Sequence, residues 1–178
     1  MSVDPAPAVD SLVFRKVLGR FATGVSVVTA SQGDRRAGIT VNAFCSVSLE
    51  PPLVLVCIEQ RNYAHDLIVA SGAFAVNLLS SDQADVSRCF ASQGPDKVTA
   101  FCGVQTHEEV TGAPVFDHCV GFVDCRVEAI YPGGDHSIFV GRVEALGGSD
   151  GPPLLYYGGR YGQLHEDELE LGPSTATK

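Results

Sequence analysis

The chain has 178 residues, of which 45% are apolar and 19% charged, and this composition indicates one globular domain and excludes disorder over most of the chain. The formal net charge is −9 and no basic cluster is larger than the pair Arg35 and Arg36, so we expect no nucleic-acid partner. The apolar runs are too short to span a membrane, so we expect no membrane partner. The acidic start has no signal-peptide pattern, so we expect a cytoplasmic protein whose six cysteines are reduced.

The first predicted element is a helix, which begins at Asp10 or Ser11 because either side chain can cap it. Phe14 and Phe21 are about two turns apart and lie on one apolar face. We expect Gly24 to end this helix.

Three strands are predicted next. β-branched residues over 25–30 and turn residues over 31–34 indicate a hairpin with the extended segment 38–49. The prolines at 51–52 then interrupt the chain. The unbroken apolar run over 53–58 predicts a strand buried on both faces.

The middle of the chain is predicted to alternate between helix and strand. A short helix over 62–71 precedes a strand over 74–79. Ser80 and Gln83 have the spacing of a capping box, so a second helix is predicted from Ser80 as N-cap to about residue 92.

The second half is predicted to be β. Residues 97–114 show neither a helical nor a strand-like pattern of apolar residues, and we expect a loop with one short strand there. Strict alternation over 123–129, a turn at 132–135 and a return strand over 137–146 form a hairpin. A last strand is predicted over 154–157.

Seven or eight strands with two or three short helices predict a mostly β fold. Since regular βαβ alternation is absent, we expect an antiparallel barrel or sandwich whose open parts are covered by helices. The predicted domain covers 11–164, with a flexible tail over 1–10 and an acidic, mobile tail over 165–178.

The common catalytic and metal-binding motifs are absent from the sequence. We find no P-loop, no glycine fingerprint of a dinucleotide-binding fold and no nucleophile elbow. The Cys and His residues over 102–125 do not have zinc-site spacing, so no metal is predicted. The acidic runs at 108–109 and 166–168 are expected to be solvated.

Four stretches together resemble one known family. They are F-A-T-G-V at 21–25, G-I-T-V-N-A-F-C-S-V-S-L-E-P-P-L-V at 38–54, G-G-D-H at 133–136 and, more loosely, L-L-Y-Y-G-G-R-Y at 154–161. In this order they resemble the short-chain flavin reductases that serve two-component flavin-dependent monooxygenases. The resemblance covers roughly residues 11–164.

The resemblance implies an FMN-binding split β-barrel, a homodimer, and hydride transfer from NADH or NADPH to FMN or FAD. The reduced flavin would pass to a separate monooxygenase. Since the two cofactors carry out the hydride transfer, the protein has to stack and orient their rings, and no acid–base triad is needed. The alternative is a non-catalytic flavin-binding or redox-sensing split barrel.

The resemblance also implies the site. His136 is the candidate catalytic residue, on the nicotinamide side. The candidate cofactor-binding residues are Thr40, Val41, Asn42, Ala43, Phe44, Cys45, Ser46, Ser48, Cys57, Ile58, Glu59, Asn62, Tyr63, Arg88, Phe90, Ala91, Arg160 and Tyr161.

Several of these residues also have a purely structural interpretation. Residues 40–48 could be an ordinary edge strand whose Ser and Thr side chains face water. Asn62 could hold the flavin phosphate at a helix N-terminus or only cap that helix. His136, and Arg160 with Tyr161, could be exposed turn residues.

Overall fold

The computed structural model describes residues 9–92 and 101–164. Apart from residues 9 and 10, the predicted tails lie outside these ranges, and so do residues 97–100 of the predicted loop. Within the described ranges, no helix combines the length and the apolar character that a membrane crossing requires.

The described elements are short, as the many glycines and prolines lead one to expect. The helices are α1 (Ser11–Leu18), α2 (Tyr63–Ser71) and α3 (Ala84–Ala91), and a 3-10 turn covers Phe101–Gly103. The strands are β1 (Thr23–Gly24), β2 (Ser26–Gln32), β3 (Arg35–Val41), β4 (Phe44–Leu49), β5 (Pro52–Glu59), β6 (Ala73–Leu78), β7 (Thr106–Glu108), β8 (Pro114–Phe116), β9 (Gly121–Gly133), β10 (His136–Gly148), β11 (Leu155–Tyr157) and β12 (Arg160–Gly162).

Seven antiparallel strands form the main sheet, in the order β3-β2-β6-β9-β10-β5-β4. Its two edge strands, β3 and β4, are separated in the chain only by Asn42 and Ala43. The sheet therefore curls until its edges meet, and the chain crosses from one edge to the other at these two residues. The predicted mostly β, antiparallel barrel is confirmed.

The inside of the curled sheet is filled by apolar side chains and closed by α2. Phe74 and Phe139 have no exposed surface, and α2 adds Leu67 and Ile68, which are at most 1% exposed. This packing explains why the apolar residues of α2 recur at helical spacing, since only one side of the helix meets the sheet.

Strand β5 is buried on one face only, and the prediction that it is buried on both faces is wrong. Val54, Val56 and Ile58 point into the core, whereas Leu55 and Cys57 are half-buried on the other face. The unbroken apolar run misled the prediction because the second face lines a cavity, which also favours apolar residues.

Helix α1 begins as predicted, with Asp10 as its cap. The Asp10 Oδ1 atom accepts hydrogen bonds of 2.9 Å from the N–H groups of both Leu12 and Val13. The helix ends at Leu18 and not at Gly24, because residues 23–24 are recruited into β1, which pairs with β11.

Helix α3 begins later than the predicted capping box. The Gln83 Oε1 atom accepts from the N–H of Ser80 at 3.0 Å, which is one half of the box. The Ser80 hydroxyl instead binds Asp82, and Gln83 becomes the N-cap of a helix that starts at Ala84. Ser80 as N-cap was therefore wrong.

The prediction that all cysteines are reduced is also wrong. Cys89 on α3 and Cys102 in the 3-10 turn form a disulfide, 13 positions apart in sequence. Packing of Phe90 against Phe101, with ring centres 5.1 Å apart, brings these two elements together. The remaining thiols, Cys45, Cys57, Cys119 and Cys125, are free.

A small sheet of β1, β11 and β12 lies beside α1. Strand β12 was not predicted, because it is only three residues long, directly follows Gly158 and Gly159 and ends in a glycine. The N–H of Gly158, in the turn between β11 and β12, donates to the C=O of Gly19 at 2.8 Å. This bond fixes the turn against the end of α1.

Candidate functional site

The crossover from β3 to β4 is the centre of the candidate site. Asn42 and Ala43 are exposed, and the C=O of Ala43 accepts a hydrogen bond of 3.1 Å from the N–H of Cys57. Asn42 lines three neighbouring cavities, with volumes of about 240, 330 and 570 Å³. A flat ring placed here would meet backbone groups and small side chains.

The smallest of these cavities lies between β3, α3 and β12. The Thr40 hydroxyl donates to the C=O of Ser87 at 2.7 Å, and the hydroxyls of Ser87 and Tyr161 are 2.8 Å apart. The guanidinium carbon of Arg88 lies 5.1 Å from the centre of the Tyr161 ring, which is a cation–π distance. These contacts join three elements around the cavity.

The largest cavity is mainly apolar and lies between α1 and the β4–β5 pair. Phe14 and Leu18 form one side, and Phe44, Cys45 and Cys57 form the other. Burial raises the pKa of the Cys57 thiol, which is therefore uncharged at neutral pH. An apolar cavity beside a few exposed polar groups suits an aromatic ring with a polar edge.

His136 lies at the turn between β9 and β10, hydrogen-bonded to its neighbour. Its Nδ1 atom is 2.7 Å from Oδ1 of Asp135. The pKa of Asp135 lies below its ordinary value. The main cause is this hydrogen bond, and the second is the electrostatic interaction with His136. The carboxylate therefore remains an acceptor for Nδ1, and the Nε2 atom is left for a ligand.

Strand β5 connects this turn to the apolar cavity. Gln60 donates its backbone N–H to the C=O of Asp135 at 3.0 Å and its side-chain amide to the C=O of His136 at 3.2 Å. His136 pairs with Glu59, two residues beyond Cys57 of the cavity wall. The turn thus lies at the end of β5 that borders the cavity.

The structure divides the predicted site residues into two groups. Those that line the cavities around the crossover are Thr40, Val41, Asn42, Ala43, Phe44, Cys45, Cys57, Ala91 and Tyr161. Those that do not are Ser46, Ser48, Ile58, Glu59, Asn62, Tyr63, Arg88, Phe90, His136 and Arg160.

Three members of the second group have structural roles in the core or at a helix cap. Ile58 and Phe90 have no exposed surface. Phe90 packs so closely over Gly38 that a Cβ there would lie 2.5 Å from its ring. The Asn62 Oδ1 atom accepts from the N–H of Ala64 at 3.0 Å, so Asn62 is the N-cap of α2.

Sequence reasoning missed several cavity residues. Ser87 carries no sequence signal, because its contacts are to residues 47 and 74 positions away. Tyr156 lies in the loosely matching stretch 154–161 and could have been found there. Phe14 and Phe21 were assigned to an apolar helix face, and both line the apolar cavity, but nothing in the sequence said what that face meets.

Comparison with known proteins shows the family of this chain. A family model for the flavin reductase like domain matches residues 18–165. The chain belongs to this flavin reductase family. A relative within it, the reductase subunit HsaB of a flavin-dependent monooxygenase from Mycobacterium tuberculosis, is 40% identical over 158 residues, which are 86% of this chain and 82% of that protein.

Solved flavin reductases share the fold. The nitrilotriacetate monooxygenase component B homologue from Mycobacterium thermoresistibile has a TM-score of 0.86 at 35% identity, covering 94% of this chain and 93% of its own. The NADH:FAD oxidoreductase SgcE6 from Streptomyces globisporus, solved with NAD and FAD fragments, has a TM-score of 0.82 at 36% identity, covering 92% and 99%. The split-barrel prediction is confirmed by these neighbours.

Proposed function

We propose that this chain is the reductase component of a two-component flavin-dependent monooxygenase, oxidising NADH or NADPH and reducing FMN or FAD. The observation that carries the proposal is the exposed crossover at Asn42 and Ala43, which lies beside an apolar cavity near the turn that bears His136. Membership of the flavin reductase family supports it. The non-catalytic alternative is not favoured, because the relatives are named as reductases.

The residues present fit a flavin and a nicotinamide. When bound, these two cofactors supply the redox chemistry, a hydride transfer between their rings. The backbone of Asn42 and Ala43 would hold the polar edge of the flavin. Phe14 and Phe44 would cover a ring in the apolar cavity and exclude water. His136, with Nδ1 engaged by Asp135, would position the nicotinamide through Nε2.

The first test is flavin-dependent oxidation of NADH. The purified protein is mixed with NADH, and its near-ultraviolet absorbance is followed with and without added FMN or FAD. We expect turnover that rises and saturates with flavin concentration. A protein that binds flavin but shows no flavin-stimulated turnover would leave the non-catalytic alternative.

A second test examines His136. We expect His136→Ala to raise the KM for NADH about tenfold, as loss of one hydrogen bond worth about 1.4 kcal/mol does, and to change the KM for flavin less than about twofold. His118→Ala is the control, since His118 is exposed and lines none of the cavities described above. Equal changes in both KM values would mean that His136 does not face the nicotinamide.

A homodimer belongs to the same proposal. Helix α1 buries none of its residues in its own chain, and Leu12, Val13 and Val17 are 74%, 58% and 61% exposed. So large an apolar surface on a short helix suits contact with a second copy. Val17→Asp should convert a dimer to a monomer in sedimentation velocity, whereas Arg126→Asp, at an exposed position of strand β9, should not.

We also propose a cytoplasmic location and a separate monooxygenase that receives the reduced flavin. Disulfides in the cytoplasm are commonly transient, so the Cys89–Cys102 bond would be reversible there. Trapping the thiols by alkylation during lysis, followed by mass spectrometry, measures how much of the bond exists in cells. A bond that persists fully in growing cells would argue against the cytoplasm.

A further inference from the structure

Another cavity, of about 520 Å³, lies outside the site described above. One wall is the last turn of α1 and the residues that follow it, and the other is the turn between β11 and β12. The hydrogen bond from Gly158 to Gly19 joins the two walls. We call this space the basic cavity, because Arg15, Lys16 and Arg20 line it.

The basic cavity concentrates positive charge in a chain of net charge −9. Within the described part of the chain, no carboxylate lies within ion-pair distance of Arg15, Lys16 or Arg20. By contrast, the arginines that have a carboxylate partner there are Arg36, Arg88 and Arg142. The carboxylate of Asp10, at the far end of α1, is engaged by backbone amides. Three neighbouring cations without an acid repel one another, and a bound anion relieves that repulsion.

The opposite wall offers an aromatic ring and exposed backbone. Tyr157 is 50% exposed, which leaves its ring accessible to a planar base. Gly158 and Gly159 have φ values of +59° and +81°, a conformation that favours glycine. With no side chains at these two positions, a ligand can approach the main chain closely.

The basic cavity is continuous with the candidate flavin site. Arg15, Gly19 and Tyr156 line both the basic cavity and the apolar cavity that contains Asn42 and Ala43. A molecule with a redox ring at the crossover could therefore extend its phosphates into the basic cavity. Such a molecule carries a ring at one end and an anionic linker at the other.

We infer that the basic cavity binds the ADP portion of an adenine dinucleotide, with the pyrophosphate near Arg15, Lys16 and Arg20 and the adenine beside Tyr157. This inference rests on the proposed function, and it adds the place where the non-reacting half of the ligand is held. NAD(P)H and FAD both carry this portion, and the experiment separates them.

The primary measurement is binding of ADP by isothermal titration calorimetry, without flavin or nicotinamide. The variant is Lys16→Gln with Arg20→Gln, and the control is Arg35→Gln with Arg126→Gln, which removes the same charge from exposed positions outside the cavity. We expect the Kd for ADP to rise about tenfold or more in the first and less than about twofold in the control. Arg20→Gln alone serves if the double variant does not fold, since Arg20 lies beyond α1.

Two kinetic comparisons identify which dinucleotide is held. With FMN as acceptor, a higher KM for NADH but not for reduced nicotinamide mononucleotide in Lys16→Gln with Arg20→Gln assigns the cavity to the nicotinamide dinucleotide. With reduced nicotinamide mononucleotide as donor, a higher KM for FAD but not for FMN assigns it to FAD.

Three results would overturn the inference: no binding of ADP to the unaltered protein, equal weakening in variant and control, or unchanged KM values in both comparisons. Failure of the proposed function is a different result, because it would abolish turnover with every donor and acceptor. Binding of ADP does not depend on turnover and would still be measured.

Discussion

The main sheet and the rim of the site, formed by α1, α3 and the small sheet, are held together differently. Inside the main sheet, Phe74 and Phe139 are fully buried, and β6 is buried at every position except its last. At the rim, α1 has no buried residue and the strands of the small sheet have two or three residues each. The rim is joined to the rest mainly through one buried ring of α3, Phe90, together with hydrogen bonds, a cation–π contact and one disulfide.

This difference separates stability from binding. Burial of apolar surface contributes about 25 cal/mol per Å², so the core supplies most of the folding free energy. A typical hydrogen bond contributes only about 1 kcal/mol, so the rim can adjust around a ligand at small cost. Changes in the core should therefore alter unfolding, and changes of hydrogen-bonded side chains at the rim should mainly alter ligand affinity. The Cys89–Cys102 disulfide is the exception at the rim, because it constrains the unfolded chain.

Thiol reactivity gives the largest expected contrast, in this case between the buried middle of the main sheet and its exposed edge strand β4. Burial, with the charges of Asp124 and Glu144, raises the pKa of Cys125 to about 12 from an ordinary 9.0. Since the thiolate reacts, Cys125 at pH 8 should be alkylated about a thousandfold more slowly than an ordinary thiol, while exposed Cys45 reacts readily. Iodoacetamide labelling followed by mass spectrometry measures both, and similar rates at the two sites would contradict the contrast.

A core substitution should be the next largest effect. Ile68→Ala leaves a cavity beneath α2 and should lower the free energy of unfolding by about 3 kcal/mol. Val69→Ala is the matched control on the same helix, because Val69 is 52% exposed, and it should change that free energy by less than about 0.5 kcal/mol. Urea unfolding measures both. Equal losses would mean that α2 does not close the core as described.

Loss of the disulfide should follow closely. Cys89→Ser with Cys102→Ser should lower the free energy of unfolding by about 3 kcal/mol, because the unfolded chain loses a constraint across 13 positions. Reductant should lower the free energy of unfolding of the unaltered protein by the same amount and should not change that of the double variant. Urea unfolding with and without reductant measures both. Cys45→Ser is the control, since its thiol is free. If reductant does not change the free energy of unfolding of the unaltered protein, the rim does not depend on this bond.

The smallest effect is expected at the wall between α3 and β12. Tyr161→Phe removes the hydroxyl that is 2.8 Å from Ser87, a loss of about 1 kcal/mol. We expect flavin to bind about fivefold more weakly, as quenching of flavin fluorescence measures, and the melting temperature to fall by only about 2–4 °C. Tyr131→Phe, at an exposed tyrosine on β9, should change neither quantity. A large stability loss with unchanged affinity would assign Tyr161 to the core.

The predictions from sequence succeeded where local chemistry decides. The cap of α1 is Asp10, one of the two predicted candidates, and the end of α2 at residue 71 and the hairpin turn over 132–135 were also predicted correctly. Side-chain capping and left-handed backbone depend on the residue itself. The capping box at Ser80 failed because the Asp82 side chain competes for the hydroxyl. Strand β5 failed because an apolar run does not say whether its second face meets a core or a cavity.

The sequence by itself determined the class of fold and, through the stretch 38–54 and the turn 133–136, the family and the place of the candidate site. Only the tertiary structure decided that Asn42 and Ala43 join the two edges of one sheet, that Ser87 connects Thr40 to Tyr161, and that Cys89 meets Cys102. It also placed Arg15, Lys16 and Arg20, which have no carboxylate partner among residues 9–92 and 101–164, beside a glycine turn more than 130 positions later in the chain. These contacts depend on how the sheet curls, and curling is a property of the whole barrel that no local pattern encodes.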